Sequence, residues 1–421
     1  MDLIPFRATR FVQDVVGDLA SVTALPEEHP KDGGRPAGPV SPYNVRQIIQ
    51  PDADTSAEAA RNAGARVTLR RWLSEGVLAT DAEPALYVYD QTEAGTVIQR
   101  GLIGALKVSD DPSSGVLPHE EHFAASIPDR ADSMRTASAN MEPIFCVYQG
   151  GGAASELVDE VADGRRPMVR VTTEDGRTHR LWRITEESAH AAIAADLRDR
   201  AALIADGHHR YAAYQRLRAE HAEDEAWHYG LALLVDSAVY PPRLRAIHRV
   251  LPGLPFPEAV ERAKSVCRVQ ETPREFESAL RVLESTTGDG ISFLISDGDR
   301  HFLMQDVDRL AIERAMSGAT PREWRNLDSA ILHHVFIELV WDHSGESDIA
   351  YVHGAREAVD QARRNNGTAV VLRPPDFSDV RAIAMAGGRV PYKSTSFDPK
   401  PRSGFVLRVL GEPPTEERSD G

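Results

Sequence analysis

The stretch Leu203-Ile204-Ala205-Asp206-Gly207-His208-His209-Arg210-Tyr211 decides how this chain is read. A short apolar, strand-like step passes through a glycine turn into a helix that opens with two histidines and an arginine. The first backbone N–H groups of a helix lack intrahelical partners, and the helix dipole adds partial positive charge there. Such an end attracts phosphate or carboxylate. Basic side chains sit better at the other end, so three of them here work against the dipole, a conflict that a bound anion resolves. Asp206 stands where an N-terminal cap is expected. A solvated helix start is the alternative, and the pattern alone leaves the two level.

Upstream, Ala-rich Glu186–Ala202 is periodic and predicts a helix, and Met168–Val171 with Thr178–Ile184 predict a hairpin around Glu174-Asp175-Gly176. Further back, Ala57–Leu73 has helical spacing, while Leu86–Tyr89, Val97–Val108 and Ile144–Tyr148 predict strands. Downstream, Tyr211–Glu220 continues as a helix and Tyr229–Val235 is a strand of the buried type. Helices are expected over Pro257–Val266, Pro273–Leu283, Leu327–Leu339, Ala355–Asn365 and Asp376–Ala386. Strands are expected over Ile291–Ile295, His301–Gln305 and Ala369–Leu372. The class is mixed α+β, and the irregular order of elements argues against a pure barrel or a doubly wound sheet. Three regions are expected, 1–150, 151–252 and 253–410, followed by a polar, Pro-rich, disordered tail over 411–421. Pro26–Pro42 reads as a loop excursion within the first region.

The chain has 421 residues, enough for two or three cores without structural metal or disulfides. Its two cysteines, Cys146 and Cys267, sit in no ligand spacing and read as reduced, packed thiols of a cytoplasmic protein. A net charge of −16 discourages contact with nucleic acid or anionic membrane. The opening Met1-Asp2-Leu3-Ile4-Pro5 lacks the basic start and apolar run of a signal peptide, and no stretch has the apolar length of a membrane span.

Two further clusters carry candidate chemistry. In Pro118-His119-Glu120-Glu121-His122 the histidines could share a helical face with Glu120 or Glu121 as a base, although a zinc site needs a third ligand and zincin histidines stand four apart. A polar, hydrogen-bonded loop is the alternative. In Gly387–Lys400, Lys393-Ser394-Thr395 is like the end of a phosphate-binding loop, but Tyr392 stands where that motif has glycine. It is not a Walker A motif. Its lysines and hydroxyls can still contact an anion; a structural loop closing the domain is the alternative.

Taken in order, these pieces resemble the HHR-motif family known as domain of unknown function 1015. The matching pieces are Pro5-Phe6-Arg7-Ala8, Pro42-Tyr43, Leu86–Tyr89, Pro118-His119-Glu120, Asp129-Arg130, Ala139-Asn140, Pro143-Ile144-Phe145 and Ala205–Tyr211. They continue with Ile247–Val250, Asn326–Ser329, Tyr351–Gly354 and the Lys393–Thr395 loop. The resemblance runs from about residue 4 to residue 410. Asn44 and His122 depart from the family's usual Asp and Thr. The Asp206–Arg210 segment is also similar to the signature of ParB/sulfiredoxin-like proteins, including free-serine kinases. That resemblance implies a ParB/sulfiredoxin-like core elaborated with further α/β segments, and a Gly-x-x-Arg turn, here Gly207 and Arg210, that holds nucleotide phosphates.

On this basis the expected function is a nucleotide-dependent phosphotransferase, a kinase for a small hydroxylated metabolite such as serine, using ADP or ATP with Mg²⁺. His208, His209, Arg210, Lys393, Ser394, Thr395 and Lys400 would contact phosphate. Asp206 would orient one of these groups or hold Mg²⁺, and Glu120 or His119 would take the hydroxyl proton. A metal-assisted phosphohydrolase using His119, His122, Glu120 and Asp206 is the rival enzyme. A non-catalytic nucleotide sensor is the alternative from another class, and ParB-like relatives make DNA binding worth naming against the acidic charge.

Overall fold

The computed structural model describes residues 1–25, 41–49, 58–121, 127–286, 290–316, 322–343 and 349–411. Most of the Pro26–Pro42 excursion, His122 and the tail beyond 411 lie outside the described residues. Contacts divide the chain into two units. The first comprises Met1–Pro118, His122–Pro242 and Pro399–Gly421; the second comprises His119–Glu121 and Arg243–Asp398. The division expected from sequence is different. A boundary at 150 would separate Ile144–Tyr148 from its paired strands Ala202–Asp206 and Tyr229–Asp236, so hydrogen bonding ties those two expected regions into one unit.

The first unit is built on a nine-stranded sheet: β1 (Leu3–Ile4), β2 (Leu86–Glu93), β3 (Thr96–Lys107), β4 (Val116–Pro118), β5 (Ile144–Tyr148), β6 (Val169–Thr172), β7 (Thr178–Ile184), β8 (Ala202–Asp206) and β9 (Tyr229–Asp236). Their order is β4-β8-β5-β9-β3-β2-β7-β6, with β1 paired to β3. The pairing is mixed: β8 lies parallel to β4 and antiparallel to β5, and β9 lies parallel to β5. All five residues of β5 are buried, as expected of an apolar run covered on both faces. Helices Ile127–Ala137, Ala153–Gly164, Glu187–Leu197 and His208–Glu220 supply Met134, Val158, Ile193, Tyr211 and Leu217 to this core. Removing any one of the large aliphatic members would cost about 2–5 kcal/mol. Cys146 is buried in β5 and Cys267 is half-buried in the second unit; both are free thiols, and burial pushes that of Cys267 up to about 12.

The second unit has a six-stranded, wholly antiparallel sheet: β10 (His248–Leu251), β11 (Arg268–Glu271), β12 (Ser292–Ser296), β13 (His301–Gln305), β14 (Ala350–Val352) and β15 (Thr368–Leu372). The order is β11-β13-β12-β15-β10-β14. Helix Ala355–Asn365 packs Ala358, Val359 and Ala362 inward and ends on Asn366 in the left-handed region. The class is thus mixed α and β, as expected. Two expected helices differ in detail. Glu186–Ala202 stops at Leu197, because Ala202 is taken into β8 by pairing with β4 and β5. Leu327–Leu339 divides into an α-turn, Asp328–Ile331, and a π-helix, Leu332–Val340. Among the described residues no helix is long and apolar enough to cross a membrane.

Candidate functional site

Strand β8 is buried from Ala202 to Ala205 and ends on Asp206 at the edge of the apolar core. Its register with β5 shifts between Ile204 and Asp206, an irregularity of the kind that re-aims a side chain at the end of a strand. Gly207 then adopts φ +96°, a left-handed conformation that glycine reaches without steric cost. A Cβ at this position would lie 2.9 Å from Nε of Arg210. The turn leads directly into helix His208–Glu220, so Gly207, and not Asp206, occupies the cap position, and no side chain caps the helix. The expected role of Asp206 as N-cap is therefore replaced by a different one.

That role is electrostatic. Arg210, one turn into the helix, pairs with Oδ2 of Asp206, and Lys400 Nζ stands 3.1 Å from Oδ1. Arg210 also faces Glu142 at 3.6 Å, and Ser403 donates to Glu142 at 2.8 Å. Burial by itself would raise the Asp206 carboxyl. Lys400 and Arg210, helped by the nearby His208 ring, overcome that and hold it well below the usual carboxylate range. Burial also opposes the charge on Arg210, and Glu142 and Asp206 restore it. Two cations thus meet two carboxylates. An incoming phosphate must compete with Asp206 and Glu142 for Arg210, so the segment is a neutralised cluster, in contrast to the excess of positive charge suggested by its sequence. A recess beside it is lined by Ile49, Arg130, Met134, Met141, Glu142 and Arg210.

The second unit brings together two segments that are far apart in the chain. Glu120 forms a parallel bridge with Val390, and Val390 N donates to His119 O at 2.6 Å. Glu120 Oε1 accepts from the Lys393 amide at 2.9 Å, while Oε2 accepts from the Thr395 amide at 3.2 Å and its hydroxyl at 3.0 Å. His119 Nε2 is 2.7 Å from the same hydroxyl, and Ser394 donates to Pro391 O at 2.6 Å. The loop that looked like a phosphate cradle therefore already holds a carboxylate. Lys393 is at φ +58°, in the turn that presents its own amide and that of Thr395 to Glu120. Burial raises the Glu120 carboxyl above its ordinary range despite these donors and the Lys393 charge.

Sequence reasoning assigned no role to Arg249 or Glu142. Arg249 is buried, donates to Lys393 O at 2.9 Å and lies 4.5 Å from the Tyr351 ring centroid. Burial lowers it to about 10, opposed by Tyr351 and Glu120. Its signal was its position inside the Ile247–Val250 piece. Glu142 lies between the Ala139-Asn140 and Pro143-Ile144-Phe145 pieces, and only the fold pairs it with Arg210.

These features fit a mixed α/β protein in which each unit carries a charged cluster. A family model described as "Protein of unknown function (DUF1015)" matches residues 3–330, most of the chain, and the chain belongs to that family. The Tyr351–Gly354 and Lys393–Thr395 pieces lie beyond the matched residues. Among solved structures the chain is similar to a free serine kinase in complex with AMP, at 16% identity and TM-score 0.37, over 70% of this chain and 86% of that one. It is also similar to SbnI with a C-terminal truncation from Staphylococcus aureus, at 10% identity and TM-score 0.37, over 73% and 87%. A conserved hypothetical protein from Pyrococcus furiosus is similar at 13% identity and TM-score 0.35, over 73% and 95%. No curated protein matches the chain.

Proposed function

We propose that the chain is a nucleotide-dependent phosphotransferase acting on a small hydroxylated metabolite such as serine, with ADP or ATP as phosphoryl donor. The observation that supports this most is the amino end of helix His208–Glu220. It has no side-chain cap, is entered through left-handed Gly207, and has Arg210 and Lys400 converging on Asp206. Its amides, with His208 and His209, supply the donors for a phosphate, and Arg210 and Lys400 supply the charge. Phosphoryl transfer depends chiefly on such neutralisation and on placing the acceptor. Asp206 serves as the positioning group for both cations. In the second unit, taken by itself, the Lys393 and Thr395 amides hold the Glu120 carboxylate, and Ser394 and His119 keep that loop in place.

Mg²⁺ does not fit Asp206 as arranged. Each of its oxygens already faces a cation, so a hard divalent ion there would stand against Lys400 and Arg210. The role of Asp206 is accordingly kept to positioning. A non-catalytic nucleotide sensor also gains support from the same pairing, because anion binding must exchange one set of ion pairs for another. The metal-assisted phosphohydrolase gains none, since Asp206, one of its members, already faces a cation at each oxygen.

Thermal shift with ADP, ATP and CTP, followed by mass spectrometry after incubation with serine, tests the assignment. Stabilisation and phosphoserine formation are expected; stabilisation without turnover leaves the sensor, and no stabilisation removes both. Arg210→Ala should weaken nucleotide binding in a protein that remains folded.

A further inference from the structure

Helix Leu332–Val340 is wound with π geometry, in which the backbone bonds run from i to i+5. Such segments are rare and concentrate at functional sites. Val335, Phe336 and Ile337 are buried in the second unit's core. Two adjacent histidines and a glutamate, His333, His334 and Glu338, remain partly open to solvent. In an α-helix His334 and Glu338, four apart, would share a face, whereas His333, five apart, would turn away from it. The wider winding brings both rings over the same carboxylate. His333 Nε2 lies 3.2 Å from Glu338 Oε1, and His334 Nδ1 lies 2.9 Å from Oε2. One ligand atom from each of the three residues falls within 4.8 Å of the others.

We propose that His333, His334 and Glu338 bind a divalent transition-metal ion of the zinc class. Two neutral imidazoles and one carboxylate form a donor set suited to borderline ions, and three protein ligands leave a position for water or substrate. Bonds of about 2.0–2.2 Å in tetrahedral geometry put ligand atoms roughly 3.3–3.6 Å apart, and the two histidine–glutamate distances here are 3.2 and 2.9 Å. The ring of His334 is held in place by Trp324, stacked at 5.6 Å between centroids and 17° between planes, while Trp324 donates to Arg389 O. The side chain of Glu338 is 44% exposed, which gives the ion a route in. This site is independent of the phosphotransferase assignment and shares no residue with it.

The test uses the full chain freed of metal and titrated with ZnCl₂, with retained zinc measured after desalting. One retained equivalent is expected, lost in Glu338→Gln and in His334→Asn, with circular dichroism of both variants unchanged. Co²⁺ on the unaltered protein provides a readout that does not depend on the variants. An intense visible spectrum of low coordination number supports the site, and the weak spectrum of the hydrated ion overturns it. Zinc that is not retained by the unaltered chain, or that is retained equally by the folded variants, also overturns it.

Discussion

Lys400 Nζ stands 3.1 Å from Asp206 Oδ1, so a residue of the returning C-terminal segment helps keep the strand-end carboxylate ionised. Arg210 holds the other oxygen. Asp206 and Arg210 therefore depend on their partners for their charge. Asp206→Asn leaves Lys400 without its carboxylate at this cluster and is expected to cost roughly 2 kcal/mol, less than for a fully buried pair because the site is partly open. The sign with pH follows from the depressed carboxyl. Its stabilisation is present above the unfolded value near 4 and is lost as pH falls toward the lower folded value. Urea titrations at pH 6 and pH 3 should show the difference between the two proteins shrinking at the acid end.

Gly207→Ala should be harmful for two reasons. At φ +96° an alanine stores strain of about 1–2 kcal/mol, and its Cβ meets the Arg210 guanidinium at 2.9 Å. Arg210 must then move away from Asp206. The urea midpoint should fall, and nucleotide-dependent thermal stabilisation should fall with it.

Glu120→Gln replaces an all-acceptor group by one that has a single oxygen, although donors approach both sides. One amide of the loop is left facing an NH₂ group, at an expected cost of about 1–3 kcal/mol. If Glu120 takes the substrate proton, the rising limb of kcat/KM should lie above the ordinary glutamate range, in keeping with its raised carboxyl. Glu120→Gln should lower kcat by roughly a hundredfold or more. An unchanged kcat would leave the residue with a structural role only.

His179 in the first unit and His248 in the second are buried, and burial, with Arg402 beside the one and Arg249 beside the other, lowers each to about 4. Both fold neutral, whereas the unfolded chain takes up a proton near pH 6.5. Stability is therefore complete above about pH 6.5 and falls as pH drops toward 4, by roughly 3 kcal/mol for each histidine. Denaturant midpoints at pH 7 and pH 4.5 should show this loss, and His179→Gln should remove about half of it.

Local order was legible where chemistry is local. The predicted limits of Ile144–Tyr148, Thr178–Ile184, His301–Gln305 and Ala355–Asn365 coincide with the elements found, because apolar runs or helical faces there end in turn residues. The turn at Gly207 was legible for the same reason. Its charge state was not, since Glu142 and Lys400 are distant in sequence and nothing local marks them as partners. The Lys393–Thr395 loop shows the same limit: its donors were visible, but the carboxylate they hold lies 273 residues from Lys393. The π-helix escaped because an apolar stretch with buried residues on several sides fits i+4 and i+5 winding equally.

The tripeptide His119–Glu121 belongs to the second unit, although the chain on both sides of it belongs to the first. A fragment beginning at Arg243 would lack the bridge partner of Val390 and the acceptor for the Lys393 and Thr395 amides. The first unit likewise awaits Thr9–Leu407 pairing and Arg408 bonded to Asn140. On the ribosome, then, neither unit can reach its final form until the segment from Val390 to Arg408 has emerged. The nine-stranded sheet can form once Asp236 has emerged, but it must wait for closing contacts made by residues up to 172 positions later, an interval in which a partly finished unit is open to chaperone capture.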